Sequence, residues 1–258
     1  MLGYRYGEKN VVGKIKKKSL LTIAGSDPCG GAGLQADLRT FQGLGFQAFS
    51  VATAVTAQNE NKFISVNPVS PKVLRDQLKS VGRCDYVKIG MLGTKSIVRE
   101  VIRYIKISKP KIVVLDPVLC SSTGKILLET SAITDLKKLF SLCTLVTPNL
   151  SEASILSQTH VHDIAGMKAA AKTILQTSSG LKAVLIKGGH LKSSATDLLY
   201  DGKQFYEFKG KRFAKSFHGT GCVLSSAILA RLSQGISLSA SVLKSKMTIS
   251  YIIKSIEV

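Results

Sequence analysis

The sequence predicts an α/β fold, a three-layer α/β/α sandwich around a mostly parallel central sheet. Short apolar runs alternate with longer segments of helical periodicity along most of the chain, which is the order of elements in βαβ units. The chain has 258 residues, of which 45% are hydrophobic and 20% charged, and this is enough for one sizeable core. We therefore divide it into an N-terminal arm, residues 1–19, and a single domain, residues 20–258.

The arm is basic and has no apolar periodicity, so we expect it to be disordered; its lysines include Lys14, Lys16, Lys17 and Lys18. It lacks the apolar core and small-residue cleavage site of a secretory signal. No apolar run approaches the roughly 20 residues that a membrane span requires. The expected location is the cytoplasm, with no membrane partner.

The first half of the domain alternates strands with helices. Asp116 follows a buried strand at its carboxyl end, the edge at which open parallel sheets bind ligands. Asp116 is therefore a candidate ligand-binding residue. The predicted strands cover residues 20–24, 48–54, 86–89 and 111–115, and the predicted helices cover residues 34–44, 71–81 and 96–107.

In the second half, Asn149 is placed to cap a helix that has Glu152 in its first turn. Lys187 ends a strand and precedes two glycines, so its ammonium could reach phosphates. Asp201 and Gly202 predict a two-residue turn in a hairpin at the sheet edge. The remaining predicted elements are helices at 132–140 and from Asp163, strands at 142–146 and 183–186, and the hairpin strands 196–200 and 204–208.

A glycine-rich turn, residues 25–33, leads from the first strand into the first helix. It has neither the Gly-x-Gly-x-x-Gly register of a dinucleotide site nor the Gly-Lys-Ser/Thr of a phosphate-binding P-loop. Asp37 lies one turn inside the helix, where its carboxylate could receive a substrate hydroxyl or amine. The alternative is a solvated carboxylate on the helix face.

A second glycine turn opens a helix of apolar periodicity and is the strongest candidate for catalysis. Gly219 and Gly221 flank Thr220, and the free N–H groups at the start of a helix attract anions. Cys222 lies in the first turn, where the pKa of a thiol is expected to fall, so that a thiolate could act as a base. The alternative is a helix start with a small buried cysteine.

Charge and cysteine content limit the possible partners. The chain carries 36 Lys and Arg against 16 Asp and Glu, a net charge of +20. Aromatic residues make up only 6% and are not interleaved with the lysines, which disfavours nucleic-acid binding; the positive field favours anionic ligands such as nucleotides. The five cysteines are scattered, which predicts reduced thiols and neither a disulfide framework nor a zinc site.

Taken together, eight motifs resemble the hydroxymethylpyrimidine/phosphomethylpyrimidine kinases of thiamine biosynthesis. The resemblance implies a ribokinase-like fold, ATP with Mg²⁺, and a homodimer. It implies two successive phosphorylations of 4-amino-5-hydroxymethyl-2-methylpyrimidine, first at the hydroxymethyl group and then at the new phosphate. The motifs are residues 22–28, 30–37, 53–59, 88–92, 114–118, 147–150, 187–190 and 218–222.

The same resemblance assigns roles to individual positions. It implies an anion hole at Gly219, Thr220 and Gly221, with Cys222 as the base. It implies substrate contacts near Gly25, Asp37, Val55, Gln58 and Met91, and phosphate contacts near Asp116, Asn149, Glu152 and Lys187, with Asp116 and Glu152 near the metal. An amide and a carboxylate suit the edge of an aminopyrimidine, and a methionine suits its face.

Some positions depart from the family pattern, and two alternatives stay open. Ser122 stands where a lysine over the site is expected, Phe217 replaces a small polar residue, and a glycine-rich tail is absent. A pyridoxine or pyridoxal kinase of the same fold is the nearest alternative, although Gln58 and Met91 argue against it. A weakened relative that serves as a vitamin-binding module is the alternative from another class.

Overall fold

A nine-stranded sheet forms the centre of the molecule in the computed structural model, with strand order β3-β2-β1-β4-β5-β6-β7-β8-β9. The structure describes residues 18–59, 62–121, 124–189, 191, 195–210 and 219–256, the last six by backbone alone. The strands are β1 (Ser19–Ser26), β2 (Gln47–Gln58), β3 (Phe63–Pro68), β4 (Tyr86–Ile89), β5 (Ile112–Leu115), β6 (Leu145–Val146), β7 (Ala183–Ile186), β8 (Ala195–Tyr200) and β9 (Phe205–Gly210).

Helices cover both faces of this sheet, which confirms the three-layer α/β/α prediction. Side chains of α2 to α6 pack on one face, and those of α1, α7 and α8 pack on the other. The six central strands run parallel to one another; in sheet order they are β2, β1, β4, β5, β6 and β7. Strands β3, β8 and β9 pair antiparallel at the two edges. The helices are α1 (Gly33–Gly43), α2 (Pro71–Val81), α3 (Lys95–Ser108), α4 (Ile133–Phe140), α5 (Leu150–Ser157), α6 (Ile164–Gln176), α7 (Thr220–Ser233) and α8 (Leu238–Ile256).

Several predicted boundaries were wrong. Strand β2 runs on to Gln58 because its second half pairs with β3, an alternating strand that the prediction missed. Leu142 and Cys143 belong to the turn after α4, since their N–H groups bond to Leu139 and Phe140, so β6 begins only at Leu145.

The hairpin lies at the sheet edge as predicted, but its turn is longer. Tyr200 pairs with Phe205, which leaves residues 201–204 in the turn. The Asp201 carboxylate accepts hydrogen bonds from the N–H groups of Lys203 and Gln204, both at 2.9 Å, and this side-chain cap stabilises the wider turn.

Only the last two residues of the N-terminal arm are described in the structure. Residues 1–17 lie outside the described residues, and Ser19 already pairs with Gln47, so β1 begins one residue before the predicted boundary. Among the described helices, none is long and apolar enough to cross a membrane.

Candidate active site

The start of α7 packs directly against the first glycine-rich turn. Gly219, the N-cap of α7, has φ = 83°, and a Cβ at this position would lie 1.8 Å from the carbonyl oxygen of Gly31. Only glycine permits both the left-handed backbone and this close approach. Gly219 therefore holds the two glycine turns together, and no side chain caps α7 among the described residues. The positive end of the helix thus faces the contact between the turns.

Asp27 organises the first glycine turn. Its carboxylate, almost fully buried, accepts hydrogen bonds from the N–H groups of Cys29 (3.1 Å) and Ala32 (2.8 Å). Gly33 completes the turn at φ = 56°, and a Cβ there would lie 2.3 Å from the Gly25 oxygen. The turn is consequently rigid and presents its backbone to α7.

Cys222 lies where these two turns meet, and the prediction that its thiol has a lowered pKa is wrong. The residue is half-buried, next to the backbone of Gly33. Burial raises the pKa of the thiol to about 11, and the ammonium of Lys88 only partly opposes this effect. The positive end of the helix does not lower the pKa of the thiol below its usual value, because burial disfavours the charged thiolate more strongly. The thiol is thus neutral at pH 7 in the free protein.

Asp116 and Lys187 form an ion pair beside the first turn of α7. The Lys187 ammonium donates to the Asp116 carboxylate at 2.6 Å, and Thr147 donates to the same oxygen at 3.2 Å. Burial alone would raise the pKa of Asp116, but the lysine ammoniums, Lys187 foremost, hold it below its usual value. A Cβ on Gly221 would lie 3.1 Å from the Lys187 ammonium, so this charge is next to the first turn of α7.

Asn149 and Glu152 form a capping box at the start of α5. The Asn149 side chain accepts from the Glu152 N–H at 2.9 Å, and the Glu152 carboxylate accepts from the Asn149 N–H at 2.8 Å. The other Glu152 oxygen accepts from the Leu119 N–H at 3.3 Å. Burial, helped by the nearby Asp116 carboxylate, raises the pKa of Glu152 to about 7. Glu152 thus ties α5 to the loop that follows Asp116.

Met91 lies against Gly25 beside the first glycine turn. The Met91 methyl group would lie 2.8 Å from a Cβ on Gly25, so the absence of a side chain at Gly25 makes room for it. Met91 belongs to a small apolar cluster with Ala54 and Leu127. Thr53 donates to the Met91 carbonyl at 2.6 Å and fixes this loop.

Two other predicted substrate contacts lie in the second half of β2, next to the first glycine turn. Val55 pairs with Ser26 in the sheet and is 56% exposed. Gln58 ends β2, and its carbonyl accepts a hydrogen bond from the Cys29 thiol at 3.2 Å.

Asp37 is buried rather than open to solvent. The alternative of a solvated carboxylate is therefore wrong, and the substrate contact stays a prediction. Asp37 forms an ion pair with Lys88 at 2.8 Å and accepts hydrogen bonds from Thr22 and Ser226. These partners hold the carboxylate in place.

Lys88 itself was missed by the sequence analysis. A signal was present, since a lysine within the short apolar strand Tyr86–Ile89 must be either at an exposed edge or buried with a partner. Ser122, Phe217, His190 and His218 lie outside the described residues, so the structure does not address the departures at Ser122 and Phe217.

Comparisons with known proteins identify the family of the chain. A family model described as phosphomethylpyrimidine kinase matches residues 27–257. The hydroxymethylpyrimidine/phosphomethylpyrimidine kinase of Aquifex aeolicus is 46% identical over 217 residues, covering 81% of this chain and 84% of that protein. The chain spans 49%, 45% and 40% of three longer bifunctional thiamine biosynthesis proteins.

Solved structures show the same relationship. The crystal structure of phosphomethylpyrimidine kinase from Clostridium difficile has a TM-score of 0.81 and 38% identity, covering 92% of this chain and all of that one. The pyridoxal kinase of Staphylococcus aureus in complex with ADP has a TM-score of 0.84 and 35% identity, covering 91% of this chain and 87% of that one. The fold is ribokinase-like. The chain belongs to the phosphomethylpyrimidine kinase family.

Proposed function

We propose that the protein phosphorylates 4-amino-5-hydroxymethyl-2-methylpyrimidine from ATP, first at the hydroxymethyl oxygen and then at the phosphate so formed. One observation carries the proposal: the N-terminus of α7 lies between the first glycine turn, whose Gly25 contacts Met91, and the Asp116–Lys187 pair. An alcohol in a pocket beside Met91 and a phosphate chain beside Lys187 would then meet at Gly219 to Cys222. Phosphoryl transfer depends mainly on such positioning and on charge neutralisation.

The residues of the turn would act in a defined order. The N–H groups of Thr220 and Gly221, with the Lys187 ammonium, would hold the charge of the transferring phosphoryl group. Cys222 would take the hydroxymethyl proton as the new O–P bond forms and the bond between the γ-phosphorus and the bridging oxygen of ATP breaks, releasing ADP. A thiolate is required for that proton transfer, and a pKa of about 11 makes it scarce at pH 7.

Asp116 and Glu152 fit a Mg²⁺ ion, since this ion takes one or two carboxylates together with substrate phosphates. Asp116 offers a carboxylate beside Lys187, and each Glu152 oxygen keeps a lone pair beyond its single backbone hydrogen bond. Among the described residues there is no larger cluster of metal-ligating side chains. When bound, the ion would neutralise phosphate charge.

We also propose a homodimer located in the cytoplasm. The edge of the sheet at β2 and β3 presents Val55 and Ile64, which are 56% and 59% exposed, and such side chains suit a protein interface. The cysteines in the described part of the chain are free, which suits a reducing compartment that supplies ATP. Light scattering at several concentrations gives the oligomeric state.

A pyridoxal kinase is the second candidate, because the Staphylococcus aureus pyridoxal kinase superposes as closely as the Clostridium difficile enzyme. The two functions separate in kcat/KM, measured with ATP and Mg²⁺ for each alcohol. We expect the aminopyrimidine alcohol to exceed pyridoxal by at least about tenfold, the order of discrimination that pocket contacts give. An equal or higher kcat/KM for pyridoxal would refute the proposal, and no turnover of either would favour a vitamin-binding module.

Gln58→Ala tests the pocket itself. Loss of the amide leaves a polar edge of the bound pyrimidine unpaired, which costs about 1–3 kcal/mol. The expected result is a lower kcat/KM for the pyrimidine with an unchanged KM for ATP. Gln77→Ala serves as the control, because Gln77 bonds to the backbone of Ala52 from α2, outside the proposed pocket. Normal pyrimidine kinetics in Gln58→Ala would remove Gln58 from the pocket.

A further inference from the structure

Lys88 is a fully buried lysine directly beneath the candidate active site. It lies next to Thr22 in the register of β1 and next to Val114 in that of β5, on the face covered by α1 and α7. Its ammonium donates to both oxygens of Asp37, at 2.8 and 3.0 Å. A buried ion pair is costly to desolvate and gives little net stability compared with apolar packing. Its presence here therefore calls for another explanation.

Asp37 connects this lysine to the helix that carries the anion-binding turn. The Ser226 hydroxyl donates to Asp37 at 2.8 Å, and Thr22 donates to its other oxygen at 2.6 Å. Ser226 follows Cys222 by one helical turn, so the two side chains lie on the same face of α7. The position of the first turn of α7 is thereby coupled to β1, β4 and α1.

The space around the Lys88 ammonium is closely fitted. A Cβ on Gly90 would lie 2.9 Å from the ammonium and 3.0 Å from the Ala24 side chain, so glycine is needed there. Burial alone would lower the pKa of Lys88, but the Asp37, Cys222 and Asp116 side chains raise it. The lysine is therefore charged, and its charge reaches both Cys222 and Asp116. At Cys222 the Asp37 carboxylate opposes it, but the effect of Lys88 on the pKa of the thiol is the larger of the two.

We propose that Lys88 is a positioning residue for phosphoryl transfer: a fixed positive charge, held by Asp37 under the first turn of α7, that stabilises negative charge on Cys222 and beside Asp116. This inference rests on the proposed function. Lys88 has no path to the substrate, because it is fully buried, and it acts through the thiol and the carboxylate.

A double substitution separates this role from a structural one. Lys88→Met alone leaves Asp37 buried without its cation, and we expect Tm to fall by roughly 10 °C. Lys88→Met/Asp37→Asn removes both charges and keeps hydrogen-bonding partners for Thr22 and Ser226, so Tm should recover to within about 4 °C of wild type. We expect its kcat to stay at least about tenfold low, with KM values within about threefold of wild type. A recovered kcat would overturn the proposal.

A second readout does not depend on the identity of the substrate. In a Cys29→Ser background, which removes an exposed thiol, iodoacetamide labels Cys222 at a rate set by its thiolate fraction. We expect labelling at fixed pH to be about threefold slower in the double variant than in wild type, because the loss of Lys88 raises the pKa of the Cys222 thiol by more than the loss of Asp37 lowers it. Equal rates would contradict the proposal. If the wild type shows no pyrimidine turnover but the double variant is labelled more slowly than the wild type, the proposed function is rejected and the charge effect is retained.

Two further variants complete the test. Arg75→Met/Glu100→Gln removes an ion pair between α2 and α3, in the opposite helical layer, and should change neither readout. Ser226→Ala removes only the hydrogen bond between Asp37 and α7, and it replaces the double variant as the test if the double variant does not fold. We expect kcat of Ser226→Ala to fall about threefold or more, as for a lost positioning hydrogen bond, with Tm lowered by no more than about 6 °C. A wild-type kcat in Ser226→Ala would contradict the link.

Discussion

Cys222→Ala is expected to lower kcat for the pyrimidine alcohol at least about a hundredfold, the lower end of the range for a general base. Alanine is smaller than cysteine by one sulfur atom and leaves the backbone N–H groups of the turn in place. Binding of ATP and of the pyrimidine should therefore stay near normal. Because burial places the pKa of the thiol at about 11, the wild-type rate should rise with pH up to that value, roughly tenfold per unit at most.

The two phosphorylation steps should respond differently to this substitution. The second step uses an oxygen of a phosphate monoester, which is already largely ionised at pH 7 and needs no base. We expect Cys222→Ala to slow the first step much more than the second, as followed by chromatography of the monophosphate and diphosphate. Cys143→Ala, in the core away from the site, is the control. If the alcohol were phosphorylated at a near-wild-type rate, the base assignment would fail, although the anion hole could remain.

Lys187→Met should lower kcat by about a hundredfold or more, since single donors to a developing charge are worth roughly 10²–10³-fold in other enzymes. Methionine keeps most of the length of the side chain and removes the charge. The Asp116 carboxylate then loses its 2.6 Å partner, and repulsion between this carboxylate and the phosphates should also raise the KM for ATP.

The control for this substitution lies on the same strand. Lys182 is exposed and immediately precedes β7, whereas Lys187 follows it, so Lys182→Met removes the same charge at the opposite end of the sheet. Lys182→Met should have wild-type kinetics. Unchanged kcat in Lys187→Met would show that the ammonium pairs with Asp116 for structural reasons alone.

The sequence allowed the fold to be predicted because its signals are local. Apolar runs, glycine turns and the helix cap at Asn149 all operate within a few residues, and the structure reproduces them. The antiparallel strand β3 also had a local signal, its alternation of apolar and polar residues, which was overlooked.

Site properties that depend on distant residues could not be predicted in the same way. Asp37 pairs with Lys88, which is 51 positions away in the sequence, and Glu152 accepts a hydrogen bond from the Leu119 N–H, 33 positions away. The raised pKa of Cys222 depends on burial by the surrounding elements, which outweighs the local influence of the helix start. Long-range packing therefore determines which polar residues are free to meet a ligand.

The most direct test of the proposed function is whether the purified protein transfers phosphoryl groups from ATP to the aminopyrimidine alcohol. Protein, ATP and Mg²⁺ are incubated with the alcohol, and the products are identified by mass over time. We predict that the monophosphate forms first and that the diphosphate follows at its expense, with one ADP for each phosphoryl group transferred. Recovery of unmodified alcohol, whether or not ATP is hydrolysed, would contradict it.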